Sequence, residues 1–253
     1  MGRVLIAYSG GVDSTFLLKV AVDTLGKENV LAVTAKSPTY QLTELKGAAK
    51  NAKKIGARHL IIMTNEFKNA NFASNPVDRC YYCKDELFAK LKKIAKKENI
   101  PFVLDASNID DEYDYRPGAR AKKEHGVRSP LQEAGFSKKD IRRFSKRLGL
   151  GTWDKPQMAC LASRLPYGER IELDKLKRIE RAEDFLRKLG LGQVRVRCHG
   201  HIARIEVPIK ETKLLYNDDI NGKIIKKFKG LGFVYVTLDL EGYRTGSLNE
   251  VLI

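Results

Sequence analysis

The chain has 253 residues, 43% of them hydrophobic and 31% charged, and carries a formal net charge of +16 at pH 7. That length allows one large domain or two modest ones with a genuine core. No apolar run approaches the ~20 residues of a membrane span, so a helical membrane protein is excluded. The charge points to a phosphorylated substrate or a polyanion, or equally to solvated lysine-rich helix faces such as Lys90, Lys92, Lys93, Lys96 and Lys97 form.

Val4 to Tyr8 is a short apolar run, the pattern of a buried parallel strand. Ser9-Gly10-Gly11 turns the chain, and from Val12 the period becomes helical, with Phe16, Leu17, Val20 and Ala21 on one face. Strand, glycine turn and helix aim backbone N–H groups and a helix dipole at an anion. Ala7, Ser9, Gly10, Gly11, Val12, Asp13 and Ser14 are therefore candidates to hold a nucleotide. Asp13 suits a Mg²⁺ on the same phosphates or a role in orienting the loop. The turn is neither G-x-x-x-x-G-K-[ST] nor G-x-G-x-x-G, and no lysine lies within it. Ser9-Gly-Gly-Val-Asp-Ser14 resembles the PP-loop of the ATP pyrophosphatases, which cleave ATP between its α and β phosphates. The bland reading is an ordinary tight turn with two glycines.

Val30 to Ala35 is the next strand, and Ala35 and Ser37 at its carboxyl end are candidates to border the adenine. Leu42, Leu45, Ala49, Ala52 and Ile55 stripe a helix that Gly56 ends. His59 to Met63, a helix over Lys84–Lys97 and a strand over Phe102–Ala106 continue the alternation, so we expect an α/β parallel sheet. Asp78–Lys84 and Ser107–Gly118 interrupt the rhythm. The second holds Asn108, Asp110, Asp111, Glu112, Asp114 and Arg116, and its carboxylates can hold Mg²⁺, bind a ribose or orient Arg116. Ser137 and Asp140 predict a capping box for a helix over Lys138–Leu148.

The irregular Gly151–Gly168 segment reads as a linker and active-site wall, and we expect one domain over 1–155 and a smaller α+β domain over 156–253. There Leu176, Ile179, Phe185, Leu186 and Leu189 predict a helix, and Gln193–Cys198 with Ile202–Pro208 a hairpin. Alternation puts Arg195, Arg197 and His199 opposite Val194, Val196 and Cys198, and an in-register hairpin gathers Arg195, Arg197, Arg204 and Glu206 on a polar face. Two short helices and a strand over Phe233–Leu238 complete this domain. The chain enters a strand at once, so no signal peptide is expected and the four cysteines suggest a reducing cytoplasm.

Cys80-x-x-Cys83 sets two thiolates within reach of one metal, and Cys160 lies far along the chain. A zinc site lacks a good fourth ligand, since His125, His199 and His201 fit poorly by spacing. A redox pair leaves Cys160 unused. Three cysteines on an iron–sulfur cluster leave one iron open for chemistry. Cys160 and Cys198 also fit the plainer role of small buried apolar residues.

Taken jointly, several motifs resemble the LarE family of ATP-dependent sulfur transferases, which build the nickel-pincer nucleotide cofactor. They are Ser9–Ser14, Asn108-x-Asp-Asp with Asp114-Tyr-Arg-Pro-Gly118, Ser129-Pro-Leu131, Trp153-Asp-Lys-Pro156, Ala159-Cys-Leu-Ala-Ser-Arg164 with Pro166-Tyr-Gly168, and Arg195-Val-Arg197 through Ala203-Arg-Ile-Glu206. The resemblance implies a PP-loop fold (Rossmann-like, HUP-type) and ATP with Mg²⁺ as cosubstrate. It also implies adenylylation of a pyridinium dicarboxylate mononucleotide, and a sulfur nucleophile that displaces AMP to leave a thiocarboxylate. It puts catalysis on Asp13, Cys160, Ser163 and Arg164. The substrate phosphate falls to Arg195, Arg197, Arg204 and Glu206, and a [4Fe–4S] cluster to Cys80, Cys83 and Cys160. In another branch Cys160 itself gives up its sulfur, so the donor is either cluster sulfide or the cysteine. The family also implies a homo-oligomer. The charge keeps a tRNA thiolation enzyme as the alternative, although such enzymes usually carry extra tRNA-binding or zinc modules. A non-catalytic ATP-binding module is the third reading, and it has no need of Cys160.

Overall fold

The computed structural model describes the whole chain except Asp114, Ile253 and the side chain of Tyr113. The expected carboxylate at Asp114 therefore lies outside the described residues. The chain divides into two compact units, Met1–Met158 and Ala159–Ile253, against the expected boundary at 155/156.

The first unit opens with β1 (Val4–Ala7), α1 (Val12–Leu25), β2 (Val30–Lys36), α2 (Leu42–Ile55) and β3 (Arg58–Met63). It continues with α3 (Ala70–Ala73), α4 (Arg79–Lys97), β4 (Phe102–Leu104), α5 (Gly118–Glu124), α6 (Pro130–Glu133) and α7 (Lys138–Arg147). Among the described residues its sheet has four strands in the order β3-β2-β1-β4, all parallel. The order reverses beside β1: the chain leaves it first toward β2 and β3 and later returns to its other edge as β4. A ligand crevice forms where the order switches, outside the strands' carboxyl ends, and the Ser9-Gly10-Gly11 turn lies there.

The run Val4–Tyr8 is continuously apolar because both faces of the sheet are covered. Val4, Ile6 and Tyr8 pack in one core with Phe16, Leu17 and Leu18 of α1, Ala48 and Ala52 of α2 and Ile141 of α7. Leu5 packs in the other core with Phe88, Leu91 and Ala95 of α4 and Ala121 of α5. Burying each large apolar side chain contributes ~1.5–3 kcal/mol. The capping box forms as expected: Ser137 accepts from the Asp140 amide, and the Asp140 carboxylate accepts from the Ser137 amide.

The strand expected over Phe102–Ala106 ends at Leu104, and one helix start also needs correction. The helix expected over Lys84–Lys97 starts at Arg79, so the Cys80–Cys83 pair lies in its first turn and not in a loop before it. No glycine or proline interrupts 79–83, so the helix extends back to Arg79, with Asp78 as its N-cap.

The second unit holds α8 (Leu173–Lys188), β5 (Arg195–His199), β6 (Ile202–Glu206), α9 (Thr212–Leu215), α10 (Asp218–Gly230) and β7 (Tyr235–Leu238). Its sheet runs β5-β6-β7. The hairpin pairs Arg195 with Glu206, Arg197 with Arg204 and Cys198 with Ala203, while β7 runs parallel to β6. The face read as polar is not solvated. Arg195, Arg197 and Glu206 are buried there, because alternation assigns a side chain to a face but not what covers that face. Cys198 is fully buried in the core, as its apolar alternation suggests.

Candidate functional site

The glycine turn is built by contacts from four parts of the first unit. Gly10 has φ +73°, and a Cβ there would stand 2.6 Å from Ala48 Cβ, so α2 packs directly on its backbone. Ser9 and Ser14 share a hydrogen bond at 3.0 Å, and the Gly11 amide donates to Ser9 Oγ at 3.3 Å. The ladder of α1 begins with Thr15 N–H to Gly11 O at 3.0 Å, which leaves the earlier amides of the first turn ahead of it. Those amides and the positive end of the helix dipole suit phosphate.

Two side chains brace the turn from its carbonyl side. The Tyr40 hydroxyl donates to Ser9 O, and Lys155 Nζ donates to Gly10 O at 3.2 Å while pairing with Glu44 at 2.7 Å. Burial, with Glu44 nearby, pushes the Tyr40 phenol well above its ordinary value, so it stays a donor. Neither Tyr40 nor Lys155 was assigned a role from the sequence. Lys155 stands in a conspicuous Pro/Gly-rich segment, but its reach to residue 10 is tertiary.

Asp13 pairs through Oδ2 with Lys138 at the start of α7, while its Oδ1 is buried without a hydrogen-bond partner. An orphaned carboxylate oxygen at the mouth of a phosphate cradle fits a Mg²⁺ that accompanies the phosphates. The loop after β4 comes to the same place. Asp110 accepts from the Lys138 amide at 2.8 Å, Asp111 pairs with Arg116 at 2.8 Å, and the Asn108 side chain accepts from the Asp110 amide at 3.0 Å. Burial, opposed by Arg116 and reinforced by the charge of Asp13, holds Asp111 above the ordinary carboxylate value. Asp13, Asn108 and Arg116 are thus brought into one network. Ser37 is not free beside β2: its hydroxyl and that of Thr39 both donate to the buried Glu66.

Cys80 and Cys83 sit three residues apart in the first turn of α4, where side chains share a face. The positive helix end favours the negative charge of a metal-bound thiolate pair, so this pair fits a soft metal or cluster as two of its ligands. Within either unit, and among the described residues, no three His, Cys, Asp or Glu side chains group as a metal site.

Cys160 belongs to the second unit, exposed at the start of a 3₁₀ turn over Leu161–Arg164. Its backbone is held tightly. Arg164 donates to Ala159 O at 2.8 Å and to Cys160 O at 3.0 Å, and Ser163 Oγ donates to Cys160 O at 2.7 Å. The Arg164 guanidinium is fully buried and makes two bonds to Glu183 of α8, at 2.7 and 3.0 Å. Arg197 makes a matching pair to Glu206, at 2.8 and 2.9 Å, and also donates to Ser163 O and Ser247. Two buried arginine–carboxylate pairs therefore grip the carbonyls of 159, 160 and 163. Arg204 adds a contact to Glu206 at 3.1 Å. Burial and the neighbouring Arg164 push Arg195 down to about 10.

A parallel sheet with a Ser-Gly-Gly turn at its switch point defines a PP-loop protein with a HUP-type α/β fold. A family model described as NAD synthase matches residues 1–94, the part that carries this turn. Over nearly its whole length the chain is 41% identical to the pyridinium-3,5-bisthiocarboxylic acid mononucleotide synthase of Lactiplantibacillus plantarum, covering 99% of this chain and 90% of that protein. It is 50% identical to an uncharacterised protein of Synechocystis sp. over 100% of this chain and 94% of that one. It is also 35% identical to an uncharacterised protein of Methanocaldococcus jannaschii over 96% and 91%. The chain belongs to the LarE family and is an enzyme.

Proposed function

We propose that the chain is an ATP-dependent sulfur transferase that converts a carboxylate of pyridinium-3,5-biscarboxylic acid mononucleotide to a thiocarboxylate. The observation that carries this reading is the full-length identity to the Lactiplantibacillus synthase together with a phosphate-cradling turn at the switch point. In the first step a substrate carboxylate oxygen attacks the α phosphorus of ATP, and the bond to the β phosphate oxygen breaks, releasing pyrophosphate. In the second, sulfide attacks the carbonyl carbon of the acyl adenylate, the C–O bond to AMP breaks, and the thiocarboxylate forms with loss of a proton.

The residues divide by role. Ser9, Gly10, Gly11, Val12 and Ser14 bind the phosphates, with Ala7, Ala35 and Ser37 bordering the nucleoside. Asp13, whose Oδ1 is buried without a hydrogen-bond partner, would hold a Mg²⁺ that screens the phosphate charge, and Asn108 with Asp111 positions Arg116. Arg195 and Arg204 meet the substrate phosphate, with Arg197 and Glu206 as their scaffold, because a guanidinium suits phosphate. Arg164 and Ser163 are positioning residues that fix the backbone from which the Cys160 thiol projects. A [4Fe–4S] cluster on Cys80, Cys83 and Cys160 would supply the sulfide at its open iron.

The test is anaerobic reconstitution with iron and sulfide, followed by turnover with ATP and the dicarboxylate mononucleotide. We expect AMP release matched by a product 16 Da heavier per exchanged oxygen, roughly the sulfur–oxygen mass difference. Loss of one sulfur from Cys160, with Cys80→Ala fully active, assigns the sulfur to the cysteine and removes the cluster. Thiolation of bulk tRNA, with no mononucleotide product, overturns the substrate.

A further inference from the structure

The glycine turn contains no lysine, and its one charged side chain, Asp13, is negative and already answered by Lys138. A second lysine nevertheless stands on the turn, delivered from 145 residues away. Lys155 Nζ lies 3.2 Å from Gly10 O and 2.7 Å from Glu44 Oε2. Its backbone is pinned. Arg142 of α7 donates to Trp153 O at 2.8 Å and Lys155 O at 3.0 Å, and the Lys155 amide donates to Thr152 O at 3.1 Å. The Lys146 ammonium lies 4.6 Å from the Trp153 ring centre and steadies the same turn. Only the side chain is left to move, and an ammonium has three donors.

We propose that Lys155 is the phosphate-binding lysine of this turn. Glu44 holds it while the turn is empty, and it swings to the phosphates of a nucleoside triphosphate when one binds. The inference rests on reading the turn as an ATP site. The exchange follows from charge. Gly10 O is a neutral acceptor and Glu44 a single carboxylate, while a triphosphate carries several negative charges on one compact group, so the ammonium gains by leaving the first two for the third. The swing is short because the ammonium already touches the loop backbone. In this arrangement Glu44 competes with the ligand for Lys155. Removing Glu44 and removing Lys155 must therefore change affinity in opposite directions.

The experiment is calorimetric titration of the full-length protein with the non-hydrolysable α,β-methylene analogue of ATP and Mg²⁺. Lys155→Ala should weaken binding about ten- to a hundredfold, the loss of one charge-assisted contact. Lys155→Arg should lose less. Glu44→Gln should tighten binding, and the double variant should bind as weakly as Lys155→Ala alone. A lysine that only ties residues 152–155 to α2 would lower the unfolding midpoint in both single variants and leave the analogue's affinity unchanged. That result overturns the proposal, as does weakening by Glu44→Gln to the same extent as Lys155→Ala. If Lys155→Ala does not fold, Glu44→Gln and Lys155→Arg still decide the sign. A wild-type protein that does not bind the analogue overturns the ATP reading itself, whereas wild-type binding with an unaffected Lys155→Ala overturns this proposal alone.

Discussion

Gly10 and Gly11 are adjacent but constrained differently. Gly10 is left-handed at φ +73°, with Ala48 Cα 2.8 Å from where a Cβ would stand. Gly10→Ala should therefore cost stability, ~1–3 kcal/mol from overpacking and strain, read as a lower urea midpoint. Gly11 has φ −77°, and its nearest neighbour to an added Cβ is Ser9 Oγ at 3.4 Å. Gly11→Val should unfold near the wild-type midpoint yet lose ATP cleavage, because the new side chain fills the space a phosphate needs. Normal AMP release by folded Gly11→Val would show that the turn is not the phosphate cradle. In the second unit, burial pushes Glu183 up, but Arg164, Arg195 and Arg187 outweigh it and hold its carboxyl below the ordinary 4.5. A depressed folded-state value contributes stability that is present above the unfolded value and lost as pH falls through the folded one. The urea midpoint should thus decline as pH drops below about 4.5, and Glu183→Gln should flatten that decline. Arg164→Met leaves the buried Glu183 carboxylate to Arg187 and the Val196 amide and should cost about 1.5–3 kcal/mol, with Ala159 O and Cys160 O losing the Arg164 donor.

At the scale of elements, α7 supports the site more than its surface position suggests. Its capping box places Lys138 beside Asp13 and Asp110, and its exposed side carries Arg142, which holds the 153–155 turn. Ser137→Ala should cost ~1 kcal/mol of stability through the lost cap. It should also weaken ATP binding, since the first turn of α7 carries Lys138. A stability loss with unchanged affinity would make α7 scaffold only. The first turn of α4 makes a similar case. Starting the helix at Arg79 turns Cys80 and Cys83 into a pair on one face at a positive helix end. Cys198→Ala, in the buried β5 strand, should by contrast leave turnover untouched.

At the scale of the molecule, the two compact units offer separate reporters. The chain has a single tryptophan, Trp153, and it lies in the first unit. A ligand at 100 times its Kd stabilises the state it binds by ~2.7 kcal/mol. The ATP analogue should therefore raise the thermal midpoint seen by Trp153 fluorescence. If far-UV circular dichroism shifts by the same amount with a single transition, the two units unfold as one.

Much of the first unit was legible in the sequence: the apolar run ending in Ser-Gly-Gly, the capping box at Ser137 and the alternation of strand and helix. Each is a local property, since glycine freedom, a side-chain cap and hydrophobic period act within a few residues. The α4 start was misjudged because the Cys-Tyr-Tyr-Cys run reads as a break in periodicity, while nothing in its backbone opposes a helix. What the sequence could not decide was coverage and long-range charge pairing. Strand alternation put Arg195, Arg197, Arg204 and Glu206 on one face, but only the turns that bring Ser163 and Ser247 onto Arg197 made its pair with Glu206 a buried one. Lys155 and Glu44 are separated by more than a hundred residues and meet over Gly10. No local pattern encodes that meeting, because it depends on where the parallel crossovers of the sheet bring the chain back.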